Sequence, residues 1–188
     1  MSVHLRKGPF TVDAYHRLAE VGILGEDDRV ELLDGQIVEM TPIGPDHAAG
    51  VDSLTRLLVR AVGDAAIVRV QNPIVLNERS DPQPDLALLR PKPAHYHDAH
   101  PEPNDILLVV EVADTSLAFD RKVKLPHYAA AGIPEAWLVD LEHDAIEVHR
   151  DPSPQGYRDV RTLRCGDLVR AALVPGVAIP VDQVLDPR

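Results

Sequence analysis

Apolar positions recur along the chain in two rhythms, and the changes between them mark out its elements. Thr11 precedes a stretch from Val12 to about Glu20 that reads as a capped first helix, with Gly22 just past its end. The segment RVELLDGQIVEM alternates on either side of Asp34-Gly35, which is the signature of a two-residue β-hairpin. Alternation sets Val30 and Leu32 on one face of that hairpin, and Glu31 and Leu33 on the other. Val51, Leu54, Leu57, Leu58, Ala61 and Val62 repeat at three and four residues. They predict a second helix with one buried face, capped by Asp46 and ending before Gly63. AIVRVQNPIVL reads as extended and is broken by Pro73, and PDLALL is a short strand. ILLVVEV is apolar on both faces and predicts a central strand.

After it, a helix is expected from about Leu117 to Ala131, stopped by Gly132 and kinked or restarted at Pro126. AWLVD and AIEVHRD read as two strands joined by a tight turn over 141–144, and GYRDVRTL reads as one more. The tail from Val174 reads as a proline-interrupted strand and a short final turn. The 17 prolines are spread along the chain rather than collected in a linker, and the longest loop, Arg90 to Asn104, joins two apolar runs rather than two domains. The expectation is one α/β domain spanning 1–188, with a mixed central β-sheet flanked by helices.

Composition narrows this picture. With 188 residues, 45% of them hydrophobic but only 4% aromatic, the core must rest on Val, Leu, Ile and Ala. No stretch approaches the ~18 apolar residues of a membrane helix. The start, MSVHLRKGPF, has no apolar run after its charges and does not read as a signal peptide. Cys165 is the single cysteine, which excludes a disulfide framework and a thiolate zinc cluster. A cytoplasmic protein is expected. The formal net charge of -11 weighs against a broad electrostatic grip on nucleic acid, which depends on Lys and Arg neutralising phosphates.

Two carboxylates occupy chemically pointed positions. Asp85 follows Pro84 where a strand opens, and Glu111 lies near the end of the buried ILLVVEV strand. A carboxylate there is costly unless it is paired or bound to a metal. Two of them on neighbouring strands would repel each other unless a hard divalent cation lay between, and carboxylate oxygens are the ligands Mg2+ prefers. Spacing leaves open a second arrangement, in which Glu111 meets solvent at the strand end or pairs with an arginine. Lys122 and Lys124 follow on the helix that returns over the strand ends. Either alone would ordinarily be a solvated helix face, but beside a metal-bound phosphate a lysine can stabilise developing charge.

The ordered series RVELLDGQIVEM, PDHAAG, VQNPIVL, PQPDLALL, VVEVADTS and DRKVKLPHYAAAGIPEAWLVD resembles the Uma-type putative restriction endonuclease family of the PD-(D/E)XK nuclease superfamily. The similarity runs from about Phe10 to Asp140. It implies a restriction-endonuclease-like fold and Mg2+- or Mn2+-dependent hydrolysis of DNA phosphodiesters. On this resemblance Asp85 and Glu111 are metal ligands, Glu31 approaches the metal directly or through water, and Lys124 is the catalytic lysine. His47 and Gln71 correspond to polar residues near the site or the substrate phosphate. The superfamily lysine ordinarily stands two residues after the second acid, where this chain has Ala113; the resemblance implies that Lys124 replaces it from the helix. Arg121 and Lys122, with Arg90 and Lys92, are the candidates for meeting DNA. A homodimer is expected, because two cuts in a duplex require two sites.

Two other functions compete: a catalytically inactive nuclease-fold protein that binds nucleic acid or a protein partner, and a hydrolase of another phosphate ester. His95, His97, Asp98 and His100 form a dense group suited to a transition metal, although such a loop is more often plain solvated surface. His4, His16, His143 and His149 lack metal spacing, Trp137 and Tyr128 read as core or subunit-contact residues, and Gly132-Ile133-Pro134 reads as a helix stop.

Overall fold

A computed structural model describes residues 9–25 and 27–185. His4 and most of the opening segment lie outside them. Helix α1 (Val12–Glu20) is capped by the Thr11 hydroxyl, which accepts from the Ala14 N–H. Strands β1 (Val30–Leu33) and β2 (Gln36–Glu39) form the hairpin, with Asp34 and Gly35 at φ 46° and 76°, the left-handed pair that a type I′ turn needs. Helix α2 (Pro45–Val62) begins earlier than expected. Gly44 is its N-cap and Pro45 its first residue, so Asp46 sits in the first turn rather than at the cap. Proline's fixed φ and missing donor suit that first position.

The principal sheet has six strands in the order β3 (Ile67–Val70), β4 (Leu86–Leu89), β5 (Ile106–Ala113), β6 (Glu135–Asp140), β7 (Ala145–Ser153) and β8 (Gly156–Leu163). Only β5 and β6 run parallel, and the helical segment 117–130 makes the crossover between them. β5 is buried at every position, as its two-sided apolar pattern requires. The extended segment around Pro73 does not join the sheet; it bonds through Ile74 and Leu76 to residues 80–82. In the tail, β9 (Leu168–Arg170) and β10 (Ala178–Pro180) form a small ribbon that leads into α5 (Val181–Leu185).

Each face of the sheet has its own core. Leu86, Leu88, Val110 and Val112 pack with Leu54 and Leu58 of α2 and with Val181 and Val184 of α5. On the other face, Ala87, Leu89, Val109 and Ala113 pack with Leu125 and Tyr128 of the crossover. Trp137 and Tyr128 are fully buried. This is the mixed α/β sheet with flanking helices that the patterning implied. None of the described helices is long and apolar enough to cross a membrane.

The crossover is one helical run in three parts: α3 (Leu117–Phe119), a π-helical turn (Asp120–Lys124) and α4 (Leu125–Ala130). The wide turn ends just before Pro126, and the Leu125 N–H reaches back five residues to the Asp120 carbonyl. A proline ring in a tight helix would strike the carbonyl four residues earlier, here that of Lys122, and could not bond to it. The expected interruption at Pro126 therefore takes the form of a widened turn rather than a break.

Candidate functional site

β4 and β5 pair antiparallel with Leu86 opposite Val110. One residue outward, this register sets Asp85 beside Glu111, on the face that carries the crossover helix. The ladder continues past the strand end, because the Gln71 N–H donates to the Asp85 carbonyl. Asp85 is held on both oxygens. Oδ2 accepts from the Val112 N–H at 2.9 Å, and Oδ1 accepts from His47 Nε2 at 2.9 Å and Gln71 Nε2 at 3.3 Å. His47 reaches it from the first turn of α2. Gln71 sits at φ 45°, a left-handed conformation that turns the chain at the end of β3.

Lys124 lies at the centre of a second group. Its Nζ is 2.8 Å from Glu111 Oε1, 3.4 Å from Glu31 Oε2 and 3.4 Å from the Gln83 carbonyl. Glu31 comes from the β1–β2 hairpin, outside the principal sheet, and its Oε2 also accepts from the Gln83 N–H at 3.0 Å. The Tyr128 hydroxyl donates to Glu111 Oε1 at 2.5 Å. Asp120 accepts a short hydrogen bond from the Ser116 hydroxyl. Glu31 and Glu111 are each 2% exposed, Lys124 5% and Asp85 9%.

These side chains, Tyr128 and Gln71 excepted, line one cavity of about 450 Å3. Its carboxylates are Glu31, Glu39, Asp85, Glu111, Asp114 and Asp120, and its cations are Arg29 and Lys124, with His47 between. Burial, aided by Asp120 and Asp85, raises the Glu111 carboxyl to about 8 against the pull of Lys124. Burial likewise raises Asp120. Lys124 is also desolvated, but Glu111, Glu31 and Asp120 outweigh that loss and hold it as an ammonium. Burial opposes ionisation of Asp85, yet its bond from His47, with Val112 and Lys124, carries its pKa below the ordinary value. The same bond raises His47.

Among the described residues, no three His, Cys, Asp or Glu side chains converge closely enough to grip a metal ion as placed. The donor chemistry nonetheless suits a hard divalent cation. Both bonds to Glu111 fall on Oε1, both to Glu31 on Oε2, and the bond to Asp120 on Oδ2. Each of these carboxylates thus keeps a second oxygen uncommitted, in a cavity with an excess of negative charge.

Of the residues expected from sequence, Glu31, His47, Asp85, Glu111 and Lys124 line the cavity, and Gln71 touches it through Asp85. The lysine does reach the second acid from the helix. The proposed DNA contacts lie elsewhere. Arg121 is bound to Glu147 at 2.9 Å and to Asp140 at 3.5 Å, which turns it toward β6 and β7. Lys92 pairs with Asp105, Arg90 donates to the Asn104 carbonyl, and Lys122 is exposed but does not line the cavity. In the histidine-rich loop, His97 bonds to Asp98 and His100 accepts from Arg69.

Sequence reasoning missed Asp120, Tyr128 and Gln83. The signal for the first two was the four-residue spacing of Asp120, Lys124 and Tyr128 along one helix. Nothing in the sequence marked Gln83, which acts through its backbone.

A family model described as Uma2, putative restriction endonuclease, matches residues 12–182. No protein of curated function matches the chain. Among solved structures, a putative nuclease of the DUF820 group from Anabaena variabilis ATCC 29413 superposes with a TM-score of 0.75. The match covers 94% of this chain and 98% of that one at 14% identity, a likeness of fold alone. With the family match extending over nearly its whole length, the chain belongs to the Uma2 family of putative restriction endonucleases.

Proposed function

We propose that this site hydrolyses phosphodiester bonds of DNA with a divalent cation, Mg2+ or Mn2+, held by Asp85, Glu111 and Glu31. The observation that carries this reading is the meeting of four buried carboxylates, from β1, the start of β4, β5 and the crossover helix, around a single ammonium. A cation bound there would neutralise those carboxylates and supply Lewis-acid polarisation to a phosphate oxygen and a water. The chain's own groups do the positioning. The Val112 N–H, His47 and Gln71 fix Asp85, while Tyr128 and Lys124 fix Glu111. Lys124 remains charged because of its carboxylate neighbours, so it is a standing positive group for charge that develops on a phosphoryl centre. Through the bond between them, Asp85 also favours the protonated form of His47.

The test is nicking of supercoiled plasmid in Mg2+ or Mn2+ by wild type and Asp85→Ala, with Mn2+ binding followed by calorimetry. The reading expects metal-dependent cutting by wild type, and a variant that folds but loses cutting by at least about 100-fold, the scale of losing a principal electrostatic group. Metal binding without cutting by either protein would favour the catalytically inactive relative. Equal cutting by both would remove Asp85 from the chemistry.

A further inference from the structure

The groups that would act on phosphate are buried, in a cavity that also presents apolar side chains. Met40, Pro42, Ile43 and Phe119 line it together with the carboxylates, and Ile43 is 40% exposed. A duplex offers its phosphates from a broad, stiff cylinder, and proteins that grip it spread Lys and Arg along that surface. The lining of this cavity has no such row. Among the described residues, the cavity's lysines and arginines are Lys124, which is buried among carboxylates, and Arg29. Arg121 and Lys92 are held by Glu147 and Asp105. Glu39 and Asp114 add negative charge among the lining residues, and the whole chain carries -11. At this cavity a polyanionic duplex would meet repulsion, because the lining offers it no row of lysines and arginines. A single unpaired nucleotide brings one or two phosphates and an exposed base face, and a base gains affinity by stacking on an aromatic ring with little need for charge.

On the reading above that the site is a DNA nuclease, we propose that its substrate is unpaired DNA, a single strand or a frayed strand end. One nucleotide enters the cavity with its base against Phe119 and its phosphate toward the carboxylates. A cavity of about 450 Å3 lies within the range of small-ligand pockets, roughly 300–1,000 Å3. Chemistry on a nucleotide that must leave the stack is cheapest where no pairing has to be broken.

The experiment compares end-labelled oligonucleotides of one sequence in Mn2+: single-stranded, fully duplex, duplex with an unpaired centre, and the single strand as RNA. The DNA single strand and the unpaired centre should be cut at least about tenfold faster than the duplex, and Phe119→Ala should raise KM for the single strand by about tenfold, the scale of one lost base stack. Anisotropy of the same oligonucleotides with Asp85→Ala gives a readout that needs no cutting. Equal rates or equal affinities for single strand and duplex would overturn the inference, as would an unchanged KM in Phe119→Ala. Preference for the RNA strand would overturn the assignment to DNA. Preferential single-strand binding with no cutting of any substrate would uphold the inference and instead sink the nuclease reading on which it rests.

Discussion

Lys124 is the residue on which the metal-free site balances. Breaking a buried pair leaves its partner charged and unsolvated, at a cost of several kcal/mol. Lys124→Met is therefore expected to lose about 3 kcal/mol of stability in alkaline solution. The loss should shrink at lower pH, where Glu111, already raised to about 8, takes up a proton instead. Urea denaturation at two pH values measures this, and a pH-independent loss would contradict it. The His47–Asp85 pair gives the opposite profile on its alkaline side. His47 is raised above its ordinary 6.5, so its contribution is full below 6.5 and is lost as pH rises through the raised value. Asp85 is lowered from 3.8, so its contribution is present above 3.8 and is lost as pH falls through the lowered value. His47→Ala should thus cost most between those ordinary values and least in alkaline solution, as read by denaturation of metal-free protein. At this scale sequence was an uneven guide. The chemical type and position of Asp85 and Glu111 pointed to a site before any fold was known. Asp120 gave no such signal, since a lone aspartate early in a helix looks like ordinary polar surface. Arg121 looked available because its partners, Glu147 and Asp140, lie far along the chain and meet it only through the sheet.

At the scale of elements, periodicity disclosed α1, the hairpin, most of α2 and the central β5, since each has one dominant environment along its length. β9 escaped because three residues cannot show alternation. The π turn escaped because its width is a response to Pro126, not a hydrophobic pattern. That turn has a geometric effect on the site. In a regular helix of 3.6 residues per turn, positions four apart drift by about 40°, so Asp120 and Tyr128 would diverge by about 80°. A turn closed over five residues takes back the drift in its own interval and keeps Asp120 in line with Lys124 and Tyr128. Pro126→Ala restores the missing donor and removes the steric reason for the wide turn. It is expected to leave thermal stability equal or higher while weakening Mn2+ binding, because Asp120 rotates away. A calorimetric titration beside a melting curve tests it, and unchanged affinity would show that the turn has another cause.

At the scale of the whole molecule, the acidic balance is the property that the fold does most to interpret. From sequence it argued only against a broad nucleic-acid surface. In the structure, the excess gathers partly inside the cavity, where on the proposed reading it would serve a cation, and Lys92 and Arg121 are bound to local partners. The salt dependence of single-strand binding should then be shallow. With Arg29 and Lys124 as the contacts and about 0.7 ions released per phosphate on single strands, the expected slope of log affinity against log salt is about -1.4. A slope several times steeper would reveal a basic track elsewhere on the surface. The site also spans separately anchored parts. Glu31 belongs to a hairpin outside the main sheet, tied in by the Leu32–Asp81 bridge and by Gln83. No stretch of sequence announced that arrangement, because it depends on the extended segment over 71–85 running back between hairpin and sheet.

The ammonium lodged between Glu111 and Glu31 has a consequence for the order of events in the life of the protein. It acts as a built-in counterion, so the carboxylates can be gathered during folding without waiting for an ion from solution. Unlike a zinc finger, whose assembly and loading are one event, this chain can be complete before it is armed. If the site takes a divalent cation as proposed, that ion could come and go while the scaffold stands, which would make the supply of cation, rather than synthesis of the protein, the point at which the site is switched on.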